Sequence, residues 1–300
     1  PVAPAAPQDV DPVRPPRLRA GDTVGLFASS SRLSQAQVDQ GRAQIEALGF
    51  KVRLGRHVRA VDGHYAGTAA QRVDDLHRLW ADPEVRALWS LRGGAGTAAL
   101  LPHLDYAMMR RDPKAVIGYS DVTALLLALQ QQAGLVCFHG PGATNSFTPF
   151  TTAALRAVLI QPQVGTVLRL SADHARRAAS DPAYRARTVR AGVAEGRLLG
   201  GNLSLLASLA GTPYMPAFDD ALLFVEEIGE EPYRVDRLLT QLQQAQGLHR
   251  CAALMAGVFR NCEPRPESPS MPLAQVIDRQ FGAAGVPAVY GWSFGHVSDQ

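Results

Sequence analysis

The chain has 300 residues, of which 46% are hydrophobic and 19% charged, the balance of a globular protein with a sizeable core. Thirty Lys and Arg against 27 Asp and Glu leave a net charge of +3, and the basic residues are scattered, which excludes the clustered footprint of a nucleic-acid binder. No run approaches the roughly 18 apolar residues of a membrane span, and three cysteines without a CxxC (Cys137, Cys251, Cys262) read as buried small residues rather than a disulfide or metal framework.

Residues 1–16, "PVAPAAPQDVDPVRPP", are rich in Pro and Ala and read as a disordered leader, such as remains after a signal peptide or tag is removed. From residue 17 to 165 apolar runs alternate with helix patterns. "TVGLFAS" is a strand, and "SQAQVDQGRAQIEALG" a helix that stops at Gly49. "KVRLGRH" is a second strand, followed by the helix "GTAAQRVDDLHRLWADP" with Thr68 as its N-cap. "VRALWSL", "AVIGY" and "LVCFHGP" are further strands, separated by "GTAALLPHL" and "DVTALLLALQQQAG". Such alternation predicts a doubly wound parallel sheet.

The polar, Arg-rich stretch 166–190 reads as a linker. In the second region, 191–300, "VRAGVAEGRLLGG" suggests strands around a Gly-Gly turn, with a helix from Asn202. "ALLFVEE" and "CAALMAGVF" are buried strands. "PYRVDRLLTQLQQAQG" is a helix with Val235, Leu238, Leu239 and Leu242 on one face, and "PLAQVIDRQFGAAG" is another. The expected fold class is α/β: an N-terminal doubly wound parallel-sheet domain plus a C-terminal β-rich α/β domain.

In open α/β sheets, ligands bind at the carboxyl ends of the strands. Three strand ends carry unusual residues: "RGGAG" (Arg92 to Gly96), "YSD" (Tyr119 to Asp121) and "HGP" (His139 to Pro141). Ser120 sits at a strand-to-helix turn, where a nucleophile would sit, although either Ser120 or Asp121 would equally suit a helix cap. The loop with Gly94, Gly96 and Ala99 nearly fits a dinucleotide fingerprint. It also fits a loop whose amides approach a reacting carbonyl. A serine nucleophile needs a base and the base an orienting acceptor. Of eight histidines, His57, His64, His77, His174 and His249 lie in surface contexts, whereas His103, His139 and above all His296, in the Gly-framed "GWSFGH", remain as candidates. The strand "ALLFVEE" ends in Glu226 and Glu227, which must point to opposite faces, and periodicity does not choose between them. Arg92 and Lys114 are candidates for holding a substrate carboxylate. No metal-ligand spacing such as HExxH occurs.

Seven blocks in order, "RPPRLRAGDTVGLFASSS", "AGTAAQRVDDLHRLWADPEVRALWSLRGGAG", "PKAVIGYSDVTALLLAL", "FHGP", "LLGGNLSLLASLAGTPY", "LLFVEEIGEEPYRVDRLLTQL" and the closing "GH", resemble the LD-carboxypeptidases, the murein tetrapeptide carboxypeptidase family. A related branch inactivates peptide-nucleotide antibiotics of the microcin type. The resemblance implies a serine peptidase with a Ser-Glu-His triad drawn from both domains: Ser120 as nucleophile, Glu226 as the acidic member and His296 as base. It implies an oxyanion hole from the backbone amides of Gly94 and Asp121. Arg92, Gly93, Tyr119 and Asn202 are expected substrate contacts. No metal or other cofactor is implied.

The implied function is release of the terminal D-alanine from murein tetrapeptides in cell-wall recycling. The alternatives are a microcin-type amidase or a non-catalytic nucleotide-binding α/β protein. A murein tetrapeptide is the expected partner, with no nucleic acid and no membrane span, and a homodimer follows from the resemblance. The family habit is cytoplasmic, and the Pro/Ala-rich N-terminus would suit a periplasmic protein. Two departures stand out: "ASSS" replaces the usual "APSS" after the first strand, and "GAG" replaces a "GYG"-like loop end, which removes an aromatic wall.

Overall fold

The structure, a computed structural model, describes residues 11–267 and 270–300. The chain divides into a unit ending at Thr166 and a second beginning at Val167.

The first unit runs β1 (Thr23–Phe27), α1 (Gln35–Ala47), β2 (Lys51–Leu54), α2 (Ala69–Ala81), β3 (Val85–Ser90), α3 (Tyr106–Arg111), β4 (Ala115–Gly118), α4 (Thr123–Ala133), β5 (Phe138–His139) and α5 (Pro149–Leu155). Its sheet is parallel throughout, in the order β2-β1-β3-β4-β5. That order reverses direction beside β1, so a crevice opens at the carboxyl ends of β1 and β3, with β4 next to it. Val24, Leu26, Trp89 and Ile117 bury the sheet faces. Ser34 and Thr68 start α1 and α2 with reciprocal capping boxes, each closed by a Gln at the third helical position.

Of the expected leader, residues 1–10 lie outside the described residues. In its remainder Val13 pairs with the chain beside Leu135: its N–H donates to Gly134 O at 2.7 Å, and its carbonyl accepts from Val136 N at 2.9 Å. Two backbone hydrogen bonds hold Val13, which the local Pro-rich composition does not announce.

The second unit runs α6 (Ala172–Arg177), β6 (Arg187–Arg190), β7 (Arg197–Asn202), α7 (Leu203–Leu209), β8 (Ala221–Ile228), α8 (Pro232–Gln246), β9 (Ala253–Arg260), α9 (Leu273–Ala284) and β10 (Ala288–Tyr290). Its sheet has the order β6-β10-β9-β8-β7, parallel except for the antiparallel edge strand β6. The observed class is therefore the expected one, α/β with two sheets in two domains.

Two local expectations differ. The stretch 166–190, read as a linker, contains α6, a 3-10 turn (Pro182–Tyr184) and β6. His174, Ala183 and Tyr184 are buried there, and Ala183 and Tyr184 join Val258 in a small core. The arginines conceal this because they lie at the surface and partly pair with acids, as Arg177 does with Asp173 at 2.7 Å. The Gly-Gly pair is no turn: Gly200 and Gly201 lie within β7 and continue its register with Phe224 and Val225 of β8. Gly200 has φ 151°, and a side chain there would run into the Phe224 carbonyl. Glycine serves close strand approach here rather than chain reversal.

Candidate active site

Ser120 directly follows the fully buried strand β4 and Tyr119, and opens a 3-10 turn (Ser120–Val122) that leads straight into α4. Its φ is +60°, a left-handed conformation that a non-glycine residue adopts at a cost of order 1–3 kcal/mol. No side chain caps either the 3-10 turn or α4, so the capping alternative does not explain the Ser-Asp pair. The sharp turn presents the serine at the carboxyl edge of the sheet, in front of a helix N-terminus whose dipole favours developing negative charge.

The loop after β3 lies against this turn. A Cβ built on Gly93 would sit 2.8 Å from Ser120 Cβ, 3.0 Å from its Oγ and 3.4 Å from the Asp121 amide nitrogen. Gly94 has φ 134° and no room for a side chain beside Ser31. Backbone can approach the serine here because no side chain intervenes.

Asp121 is buried, and its Oδ2 accepts from Ser30 Oγ at 2.7 Å and from Thr97 N at 2.9 Å. Thr97 Oγ1 lies 2.9 Å from both Ser29 Oγ and Ser30 Oγ. Buried Arg72, from α2, donates through Nη1 to Ser29 O at 2.6 Å and to Gly96 O at 3.1 Å. Burial lowers the Arg72 pKa, while Asp121 is among the groups pulling it back up. The Thr97 N–H is therefore engaged, and the loop feeds a 3-10 segment (Thr97–His103) rather than an α-helix N-terminus. Both facts disfavour the dinucleotide reading of Gly94, Gly96 and Ala99.

In the second unit Glu226 is fully buried near the end of β8, and its Oε2 lies 2.7 Å from His296 Nδ1. The C-terminal segment carrying His296 is pinned along β9: Trp292 N donates to Ala256 O at 3.2 Å, and Val258 N to Phe294 O at 3.0 Å. Arg260 Nη1 donates to His296 O at 3.3 Å. Gly295, at φ 116°, lets the strand of Glu226 come close, since a Cβ there would be 2.9 Å from Glu226 Cβ. Glu227 takes the opposite face. It accepts from Asn202 Nδ2 (3.0 Å), Ser204 N (2.8 Å), Ser204 Oγ (2.7 Å) and Ile228 N (2.8 Å). Burial pushes its carboxyl pKa up, against the pull of those donors.

The other expected residues divide clearly. Tyr119 and His139 stand edge to face with ring centres 6.2 Å apart, and the Tyr119 hydroxyl accepts from Asn145 Nδ2 at 3.0 Å. Arg92 is half-buried at the same end of the sheet, its carbonyl held by Ser90 Oγ at 3.0 Å. Asn202, expected to touch substrate, is buried; it caps α7 through Leu205 N and holds Glu227. Lys114 is not at the site. It precedes β4, at the opposite end of the strand from Ser120, where it donates to Asp82 O at 2.6 Å and lies 3.3 Å from Asp112. Sequence reasoning passed over Ser30, Arg72 and Thr97. A run of serines straight after an apolar strand was the available signal for the first, and Arg72 and Thr97 carried none.

Among the described residues, His57, Asp74 and Asp75 each bring a ligand atom within 4.8 Å of the others. Asp75 is already bonded to His57 N and Asp74 to Arg78. The three cysteines are unpaired with one another, and burial pushes each thiol up to about 12. No helix among the described residues is long and apolar enough to cross a membrane.

Residues 24–140 match the LD-carboxypeptidase N-terminal domain, and residues 195–300 the LD-carboxypeptidase C-terminal domain. A probable murein peptide carboxypeptidase of Bacillus subtilis is 36% identical over 290 residues, covering 95% of this chain and 87% of the relative. A murein tetrapeptide carboxypeptidase of Pseudomonas aeruginosa is 34% identical over 283 residues, covering 91% and 87%. The crystal structure of an MccF-like protein from Bacillus anthracis aligns with a TM-score of 0.79 at 26% identity, over 95% of this chain and 91% of that one. With matches to both of its domains and relatives along nearly the whole chain, this protein belongs to the LD-carboxypeptidase family of peptidases.

Proposed function

We propose that the chain is a serine LD-carboxypeptidase that removes the terminal D-alanine from murein tetrapeptides during cell-wall recycling, with Ser120 as nucleophile, His296 as base and Glu226 as the residue that orients the base. The observation that carries this is the 2.7 Å contact between His296 Nδ1 and the fully buried Glu226. A carboxylate on Nδ1 fixes the ring tautomer and leaves Nε2 as the atom that accepts a proton. The strained turn at Ser120 supports the nucleophile, and the names of the relatives support the substrate class.

In this reading His296 Nε2 takes the Ser120 hydroxyl proton as Oγ attacks the carbonyl before the terminal D-residue. The carbonyl oxygen becomes an oxyanion held by the Gly94 and Asp121 amides, an interaction of about 3 kcal/mol per donor. As the intermediate collapses, the imidazolium gives its proton to the leaving amine, and D-alanine departs. Water, deprotonated by the same imidazole, then hydrolyses the acyl-enzyme and returns Ser120. The glycines beside the serine, Gly93 and Gly94, keep the approach to the scissile carbonyl open.

The test is chromatographic. Purified protein is given L-Ala-γ-D-Glu-meso-diaminopimelyl-D-Ala, the same peptide ending in L-Ala, and an aminoacyl sulfamoyl adenosine. Release of D-alanine, with the L-Ala peptide left intact, is the expected result. Cleavage of the nucleotide conjugate alone would move the reading to the microcin-type branch.

A further inference from the structure

Asp121 belongs to the nucleophile turn, yet its side chain serves other segments. Asp121 is 4% exposed, and its side chain does not cap the helix that follows. Its Oδ2 instead takes the Thr97 N–H at 2.9 Å, immediately beyond the Gly94–Gly96 loop, and the Ser30 hydroxyl at 2.7 Å, just beyond β1. Arg72 closes the arrangement from the far side by holding the carbonyls of Ser29 and Gly96. A buried carboxylate is costly unless donors and an opposite charge compensate it, and an apolar residue would fill the same space without that cost. The carboxylate links the serine turn to the glycine loop, which glycine's own flexibility would otherwise leave loosely spaced.

We propose that the Asp121 side chain is a positioning residue that sets the spacing of the oxyanion hole. The inference rests on the serine-peptidase reading above, in which one donor is the Asp121 amide and the other the Gly94 amide. One residue thus supplies the first donor from its backbone and fixes the loop bearing the second through its carboxylate. Oxyanion donors act only within a narrow range of roughly 2.7–3.1 Å, so a loop released from Asp121 weakens transition-state binding and leaves ground-state binding intact.

The experiment measures D-alanine release by wild type, Ser120→Ala, Asp121→Ala, Asp121→Asn and Ser30→Ala. It also measures inhibition by two ligands. One is the tripeptide with its third residue as an aldehyde, which adds the serine to form a tetrahedral hemiacetal with the oxygen in the oxyanion hole; the other is the tripeptide product. Asp121→Ala is expected to lower kcat roughly 100-fold or more while KM stays within about threefold. Its Ki for the aldehyde rises by the same factor as kcat/KM falls, and its Ki for the product does not change. Asp121→Asn keeps an acceptor oxygen and is expected to lose roughly tenfold, with the aldehyde Ki following. Should Asp121→Ala fail to fold, Asp121→Asn and Ser30→Ala decide by the same correlation.

Unchanged kcat in these variants, or a fall in kcat with an unchanged aldehyde Ki, overturns the inference alone, provided wild type is active and Ser120→Ala is not. Absence of D-alanine release by wild type, or full activity of Ser120→Ala, overturns the functional reading and this inference together.

Discussion

At Gly93 the reason for a glycine is space alone, since its φ is an ordinary one, and the space is that of Ser120. A methyl group there would stand 2.8 Å from Ser120 Cβ and 3.0 Å from Oγ. Gly93→Ala is therefore expected to displace Ser120, the proposed nucleophile, and lower kcat by roughly 10–100-fold, with a stability loss of about 1–3 kcal/mol. Steady-state kinetics beside a urea melt check both numbers, and a fully active variant would show that the serine turn tolerates the shift. At this scale the sequence was readable where chemistry and local pattern coincide. Ser120 follows an apolar strand and precedes a helix, so its place could be read directly. Glu226 and Glu227 could not be told apart by alternation, because both faces of β8 are buried. What separates them is a set of partners distant in sequence, His296 for one and Asn202 and Ser204 for the other. The Ser30–Asp121 bond spans 91 positions, and no local pattern encodes such a contact.

Among the elements, the segment from α6 to β6 shows how composition misleads. Its arginines suggest a solvated connection, but His174 packs its ring edge to face on Tyr184, with centroids 5.2 Å apart. Burial lowers the His174 pKa from 6.5, although the backbone of Gly291 and Tyr184 and the charge of Asp173 pull the other way. The folded protein thus holds this imidazole neutral in a range where the unfolded chain protonates it. Stability from this residue is present above about pH 6.5 and is lost as pH falls through the depressed folded value. His174→Phe is expected to flatten the fall in melting temperature between pH 7.5 and 5, and parallel curves for the two proteins would remove His174 as a cause. The Gly200–Gly201 pair makes the converse point. Two glycines in sequence suggest a reversal, whereas both lie within β7, and Gly200 lets it approach β8 where a side chain would run into the Phe224 carbonyl. Strand pairing of this kind is a tertiary choice that local turn chemistry does not contain. By contrast, α1 and α2 start where their capping boxes place them, since a cap is a local interaction within four residues.

Over the whole molecule, the elements of the proposed chemistry are divided between two units. The first carries the serine turn, the glycine loop and the Asp121 clasp on one parallel sheet, and the second carries the Glu226–His296 pair on another. The α/β class was legible because helix and strand patterns alternate along nearly the whole chain. The end of the first domain, expected at residue 165, falls at Thr166, whereas the stretch beyond it, expected to be a linker, is structured and belongs to the second unit. The proposed serine-peptidase function depends on Ser120 more than on any other residue. The most direct measurement is the rate of D-alanine release from the murein tetrapeptide by wild type and by Ser120→Ala, with matched melting temperatures. A nucleophilic role for Ser120 requires release by wild type and a rate lower by roughly 1,000-fold or more in the variant. Equal rates in the two proteins would contradict it.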